Sequence, residues 1–388
     1  MAFREFTIRR YNGQRDRAAV EDLERRCEVG PAKHVFLFTD SLGDPICRIR
    51  NSPLYKMLVA ELENELVGVI QGSIKIVTLH KGLAKVGYLL GLRVCPFHRR
   101  KGIASSLVHH LEEWFVANQV DYVYMATEKH NRASVNLFMN KLGFVKFRTP
   151  SILVQPVIHN FSFHLRPKIE ILKLKIEQAE FLYKKFMASS TEFFPLDIDK
   201  VLGNKLSLGT WVAYRRGESP GDQFGGGGEV PKSWAMLSVW NSGEIFKLRM
   251  GKSTLPCFSY EMSSRFITRV FPCLKVMPQL PDFFDLFGFY FIYGVHHQGP
   301  LSGKLVRTLC KFVHNMARNS QEDCIKVIVT EVGDGDRGLK LHIPHWKLLS
   351  YPDDLWCIKA LKNEDKTALH ELTTTPPRRA LFLDPRDV

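Results

Sequence analysis

Long apolar runs are missing from this chain of 388 residues. None approaches the roughly 20 residues that a helix needs to cross a bilayer. The first residues, Met-Ala-Phe-Arg-Glu-Phe-Thr, hold no apolar secretory core. Paired cysteines are missing too: the eight cysteines sit singly, with no C-x-x-C, so neither a zinc spacing nor a disulfide framework is present. No block of five or more basic residues occurs, so no nuclear import signal can be read. These absences lead us to expect a reduced, intracellular protein with no membrane segment and no metal site. Disorder is excluded as well, because 45% hydrophobic and 24% charged residues is an ordinary globular composition. The length suits about two domains.

What is present in excess is positive charge. The formal net charge is +14, spread over both halves and not gathered in a tail. Such a balance suits an anionic cofactor, and it suits nucleic acid or chromatin equally.

The densest chemistry lies in Leu92-Arg93-Val94-Cys95-Pro96-Phe97-His98-Arg99-Arg100-Lys101-Gly102-Ile103-Ala104. Val86 to Val94 reads as a buried strand, and Pro96 ends it by removing a donor. Ile103, Ala104, Leu107, Val108, Leu111, Trp114 and Phe115 then repeat at helical spacing on one face. Between strand and helix, residues 99–104 fit R/Q-x-x-G-x-G/A. A turn of this kind gathers backbone N–H groups at the positive end of a helix dipole. Gly102 lets the backbone come close to a ligand, Ala104 keeps the approach open, and Arg99, Arg100 and Lys101 add charge. A pyrophosphate is the expected guest. Downstream, Asp121 to Glu128 reads as a second strand, followed by N-x-x-A-x-x-L-F-x-x-x-L-G-F at 131–144.

These two motifs, in this order, resemble the GNAT superfamily of acetyl-CoA-dependent N-acetyltransferases. Further runs, among them Leu42-Gly43-Asp44-Pro45-Ile46-Cys47-Arg48-Ile49-Arg50, Ser189-Ser190-Thr191-Glu192-Phe193-Phe194-Pro195 and Ile343-Pro344-His345-Trp346-Lys347, resemble its plant Hookless-type members nearly end to end. The resemblance implies an α/β (α+β) fold, a mixed and mostly antiparallel sheet flanked by helices. It implies acetyl-CoA as cosubstrate and an acetyl group passed to an amine on a protein, with histone or chromatin as a candidate. It also implies a nuclear (or additionally cytoplasmic) protein in hormone- or light-responsive plant growth. A non-catalytic CoA-binding scaffold in a nuclear complex stands as the alternative.

Under the resemblance the backbone from Arg100 to Ala104, including Gly102 and Ile103, holds the cofactor, with Arg99 and Lys101 as charge support. Leu92, Arg93 and Val94 pair their backbone with the pantetheine arm. Asn131 hydrogen-bonds the cofactor or caps a helix, and the residues leave both roles open. An amine acceptor needs a base, and Tyr88, Glu61 and Glu128 are the candidates, with His98 beside the loop. Asp40 and Asp44 attract a cationic amine or form a turn. Phe138 departs from the family pattern, where a tyrosine protonates the leaving thiolate.

The second half looks like a copy of the first. Moving the apolar helix face on by 202 positions lands on Leu305, Val306, Leu309, Cys310, Val313, Met316 and Ala317, and Asp323 to Glu331 repeats the strand that follows. The loop chemistry is lost there, since Leu301-Ser302-Gly303-Lys304-Leu305-Val306 has no first arginine and a displaced glycine. We therefore expect an acetyltransferase domain at 1–155, closed by a last strand from Ser151 to Val157. A linker at 156–167, a degenerate GNAT-like domain at 168–361 and a tail at 362–388 would follow. A Gly-rich loop at 216–232 would split the second hairpin, and the second half would serve self-association or a regulatory partner.

Overall fold

The computed structural model describes residues 6–27, 37–79, 82–218, 230–251, 281–320, 324–351, 354–362, 366–374 and 379–388. The Gly-rich loop lies mostly outside them. The first half runs β1 (Thr7–Arg10), α1 (Gly13–Arg26), β2 (Leu37–Asp40), β3 (Leu54–Leu62), β4 (Glu65–Leu79) and β5 (Gly82–Val94). It continues with α2 (Ile103–Ala117), β6 (Tyr122–Glu128), the short α3 (Arg132–Val135), β7 (Val145–Arg148) and β8 (Ser151–Pro156). The second half opens with β9 (Ile169–Leu174), α4 (Ile176–Phe186), β10 (Thr191–Glu192), β11 (Phe194–Pro195) and α5 (Ile198–Leu202). There follow β12 (Ser207–Arg215), β13 (Trp234–Asn241), β14 (Lys247–Met250), β15 (Gly288–Gln298), α6 (Ser302–Arg318) and β16 (Ile325–Val332). The last elements are α7 (Arg337–Lys340), β17 (Asp354–Ala360), α8 (Lys366–Thr374) and β18 (Ala380–Leu381).

Two large sheets share one plan. The first is ordered β1-β3-β4-β5-β6-β17-β7, with β11 paired to β4. The second is ordered β9-β12-β13-β15-β16-β8. Each is antiparallel except for one parallel pair, β5 with β6 and β15 with β16, and each parallel pair is joined by its long helix, α2 or α6. Both helices bury the faces read from the sequence: Ile103, Leu107, Val108, Leu111 and Phe115 in α2, and Leu305, Val306, Leu309, Cys310 and Val313 in α6.

The last strands are exchanged. Ser151–Pro156, expected to close the first sheet, pairs with β16 of the second, Val154 opposite Val329. Asp354–Ala360 crosses the other way and lies between β6 and β7, with Trp356 opposite Ala126 on one side and Arg148 on the other. A boundary near residue 155 therefore does not divide the sheets. The exchange covers the open edges of β6 and β16, whose N–H and C=O groups would otherwise face solvent. Hydrophobic alternation reports which face of a strand is buried, not which strand lies beside it.

Nor is the region after 361 a loose tail. Asp384 and Arg386 are buried. Lys75, itself buried on β4, donates to Asp384 at 3.2 Å and Asp387 at 2.5 Å, and Tyr124 donates to Asp387 at 2.7 Å. Arg386 bonds both Asp384 and Asp197. Despite the cost of burial, Arg386 and then Lys75 hold the Asp384 carboxyl well below the usual range.

Candidate functional site

The cleft begins where two strands part. β5 and β6 pair in parallel from Val86 opposite Tyr122 to Leu89 opposite Met125, and no further, although both strands continue. A bulge in β5 marks the same level: Leu90 faces Gln71 and Arg93 faces Val69, so Gly91 and Leu92 together oppose Ile70. Gly91 has φ +62°, a left-handed conformation open to glycine. Beyond Leu89 the β6-facing edge of β5 has no strand partner among the described residues. Leu92, Arg93 and Val94 lie on that stretch.

The wall leads into the basic turn. Cys95 N donates to Val67 O at 2.8 Å, and Pro96–His98 makes one tight helical turn. Arg99 Nε reaches back to Val94 O at 3.5 Å. Arg100 (φ +66°) and Gly102 (φ +86°) are both left-handed, and α2 starts at Ile103 without a side-chain cap. The first hydrogen bond into the helix is Ser106 N to Gly102 O, so the N–H groups of Ile103, Ala104 and Ser105 have no intrahelical partner. Nothing lies within 4 Å of where a Cβ on Gly102 would stand. Arg99, Arg100 and Lys101 are exposed around it. Open donors, a positive helix end and three exposed cations fit a pyrophosphate.

The candidate bases separate cleanly. Tyr88 is buried and stacked on Tyr124, ring centroids 4.7 Å apart, and burial pushes its phenol far up. Held in its protonated form, this phenol is not poised to take the amine's proton. Glu61 accepts from Arg9 at 2.7 Å and Arg15 at 2.5 Å, and these guanidiniums hold its carboxyl low. It is a structural ion pair on the β3 end. Glu128 differs. It stands past the point where β5 and β6 part, with Asp354 of β17 directly opposite. Burial, then the Asp354 charge, raises it to about 7, and its Oε2 is buried without a hydrogen-bond partner. A half-buried carboxylate poised near neutrality is what amine deprotonation needs.

Other candidates are tied to local structure. Asn131 caps α3, its side-chain oxygen accepting from Ser134 N at 3.2 Å. Asp40 accepts from Leu42 N, and Asp44 pairs with Arg50, both as turn formers. Phe138 is buried edge-on to Phe144, 5.2 Å between centroids, and offers no hydroxyl to the cleft. His98 lies 3.2 Å from Lys101 Nζ. Its donors also come together with those of Glu65 and Cys95, all within 4.8 Å. The sequence reading expected no metal site and missed this three-donor group, because Glu65 is remote in the chain from Cys95 and His98.

Sequence reasoning also missed a small charged pocket lined by Glu24, Arg48, Gly91 and Arg93 among others. A signal existed. Glu24 falls on the same helical stripe as the buried Val20, Leu23 and Cys27.

Residues 17–144 match the model of the acetyltransferase (GNAT) family. The chain is 45% identical to an Arabidopsis thaliana protein named "Probable N-acetyltransferase HLS1", over 98% of this chain and 99% of that one. The chain belongs to the GNAT acetyltransferase family. This GNAT protein is also 32% identical to "Acetyl transferase GW6a" of Oryza sativa subsp. japonica, over 98% of its own length and 97% of the relative's. Its fold is similar to that of Saccharomyces cerevisiae N-myristoyltransferase with bound myristoyl-CoA, at a TM-score of 0.54 and 12% identity, covering 91% of this chain and 78% of that one. The cosubstrate of this GNAT transferase is an acyl-CoA, and the open cradle at 99–104 fits its pyrophosphate. No helix among the described residues is long and apolar enough to cross a membrane.

Proposed function

We propose that the chain transfers an acetyl group from acetyl-CoA to an amine on a protein, with Glu128 taking the amine's proton. One observation carries this reading: the β5 edge beyond Leu89, which has no strand partner among the described residues, leads through one tight turn to an uncapped helix start ringed by three cations. The backbone of 100–104 binds the diphosphate, Leu92 to Val94 orient the arm, and an N–H of that edge faces the thioester oxygen. Glu128 accepts a proton from the ammonium, and the freed amine forms the amide bond as the carbon–sulfur bond breaks. Phe138 supplies no proton, so the nitrogen's second proton passes through water to the departing sulfur, giving the neutral CoA thiol (pKa about 8.5 for a free thiol).

A nuclear location, a chromatin acceptor and a role in hormone- or light-responsive growth extend the proposal. Their support is the net charge of +14 and the likeness to Hookless-type proteins. Imaging of the tagged full chain in plant cells tests the location. The exposed Leu341 and Leu348 support contact with a partner, or a second copy, through the second half.

A second reading, a CoA-binding scaffold without turnover, is favoured by the buried Phe138. Acetyl-CoA turnover by the pure protein against a panel of amines decides between them, with a loop variant as control. Amine-dependent thiol release that is lost in the variant supports the enzyme. CoA binding without turnover on any amine supports the scaffold.

A further inference from the structure

Asp354 reaches the cleft from the other half of the chain. It opens β17, the strand exchanged into the first sheet, and its partner across the ladder is Glu128 of β6. The backbone shows how near the two side chains come. Asp354 N donates to Pro150 O, away from β6, and at the far end of the pairing Leu361 N donates to Asp121 O. Hydrogen-bonded and non-hydrogen-bonded pairs alternate along an antiparallel ladder, so Leu355 and Thr127 form the first kind and Asp354 and Glu128 the second. In the second kind opposed side chains come nearest, with Cβ atoms about 4.5 to 5.5 Å apart. Both carboxyls rise from one face of the sheet, with Trp356 and Ala126 the next pair along it.

Two carboxyls opposed in this way repel, and among the described residues no cation acts on either. Glu128 is half-buried and feels burial, then Asp354. Asp354 is buried, and burial raises its carboxyl to about 7 even though hydrogen bonding from the Leu355 backbone lowers it. Lys129 and His130 follow Glu128 in the chain but are exposed. The titratable groups around the pair are Glu331 of β16, Tyr351 ahead of β17, Tyr88 of β5 and Cys357 of β17 itself, each pushed up in part by the Asp354 charge. None of the four is a cation. Like charges directly opposite destabilise a sheet, and an amide at either position would pack without that cost.

We propose that Asp354 is a positioning residue of the transfer site: it acts through Glu128, the carboxyl that meets the acceptor amine, and the second half of the chain thereby completes the site. The proposal rests on the reading of Glu128 as the base. As Glu128 takes a proton from the ammonium, an N–H bond breaks, an O–H bond forms, and the negative charge of the pair falls from two to one. That step relieves the repulsion from Asp354, so Glu128 is a stronger base than burial alone would make it. Once the product leaves, Glu128 returns the proton to water. The half that lost its own anion cradle is then tied to the other by chemistry as well as by packing.

The test follows kcat/KM of the full-length protein against pH, on an amine that the wild type acetylates, in wild type, Glu128→Gln, Asp354→Asn and Asp354→Glu. The wild-type rate should rise through about 7. In Asp354→Asn the midpoint should fall by about one pH unit, because burial still raises Glu128 but the opposed charge is gone. Asp354→Glu keeps that charge and should keep the midpoint near the wild-type one. A merely structural role would lower the rate at every pH without moving the midpoint, so an unmoved midpoint in folded Asp354→Asn would overturn the proposal. If Glu128→Gln retains the rising limb, the base is misassigned and the proposal falls with it. If the limb is lost there and unmoved in Asp354→Asn, only the role of Asp354 is rejected. Should Asp354→Asn not fold, or no amine turn over, carbon-13 carboxyl NMR decides. Coupling between two titrating groups is reciprocal, so the Asp354 midpoint should drop in Glu128→Gln, its signal being the aspartate resonance lost in Asp354→Glu. A drop supports the pair, and an Asp354 signal that titrates alike in both proteins rejects it.

Discussion

Gly102 joins two demands at one position: its φ of +86° is left-handed, and the space above it is clear. In Gly102→Asp a carboxylate enters the anion cradle, so CoA affinity should fall at least about tenfold, or about 1.4 kcal/mol, by calorimetry on folded protein. Wild-type affinity would remove the loop from the site. With Glu128 as the proposed base, a pH dependence follows. A base works ionised, so with its carboxyl near 7 the rate at low amine should rise as pH increases through about 7, and Glu128→Gln should lower kcat and flatten that limb. Glu331 belongs to the same acidic group. It is half-buried on β16, and desolvation, then Asp354 and Asp387, pushes it up to about 8. The protonated form is the one the fold favours. Its contribution to stability is therefore full below about 4.5 and is lost as pH rises through about 8. The melting temperature of wild type minus that of Glu331→Gln should fall steadily between those limits, and a flat difference would count against the burial argument. At this scale the loop was legible as a motif, whereas Glu128 stood only as one of three candidate bases until the fold set it beside Asp354. The meeting of Arg48 and Glu24 stayed hidden, since it depends on chain segments that only folding brings together.

Among the elements, the hairpin of β3 and β4, the strand β5 and the helices α2 and α6 follow directly from apolar spacing. The bulge does not, because consecutive residues of β5 are buried on both faces and show no alternation for an extra residue to interrupt. The exchange of β8 and β17 was equally hidden: β8 was expected to close the first sheet and instead pairs with β16 of the second. Its consequence is measurable. A fragment of residues 1–155 lacks the strand between β6 and β7, and it leaves Lys75 and Tyr124 without their Asp387 acceptor. A buried charge stripped of its partner is destabilising by several kcal/mol, about 3 to 5 in comparable cases. The fragment should be insoluble or unfolded by circular dichroism, and co-expression with residues 156–388 should restore a soluble complex. A cooperative, soluble fragment alone would show that the exchanged strand is dispensable.

Across the whole molecule, two like sheets carry one site. The start of α6 is closed where that of α2 is open. His297 Nδ1 lies 2.9 Å from Ser302 Oγ, Ser302 donates back to Gly299 O at 2.6 Å, and a Cβ on Gly303 would strike the His342 ring. The second helix end is already furnished with the chain's own groups. Titration should therefore saturate at one CoA per chain, and saturation at two would contradict this reading of α6.

The crossed strands also order events during synthesis. More than half of the polypeptide lies between Glu128 and its partner Asp354, so the ribosome releases β6 long before β17 exists. Until then the nascent chain holds an open strand edge beside its cofactor cleft, the kind of surface that chaperones shield. Neither half can finish first, and a ribosome that stalls before residue 354 leaves a product without a completed cleft.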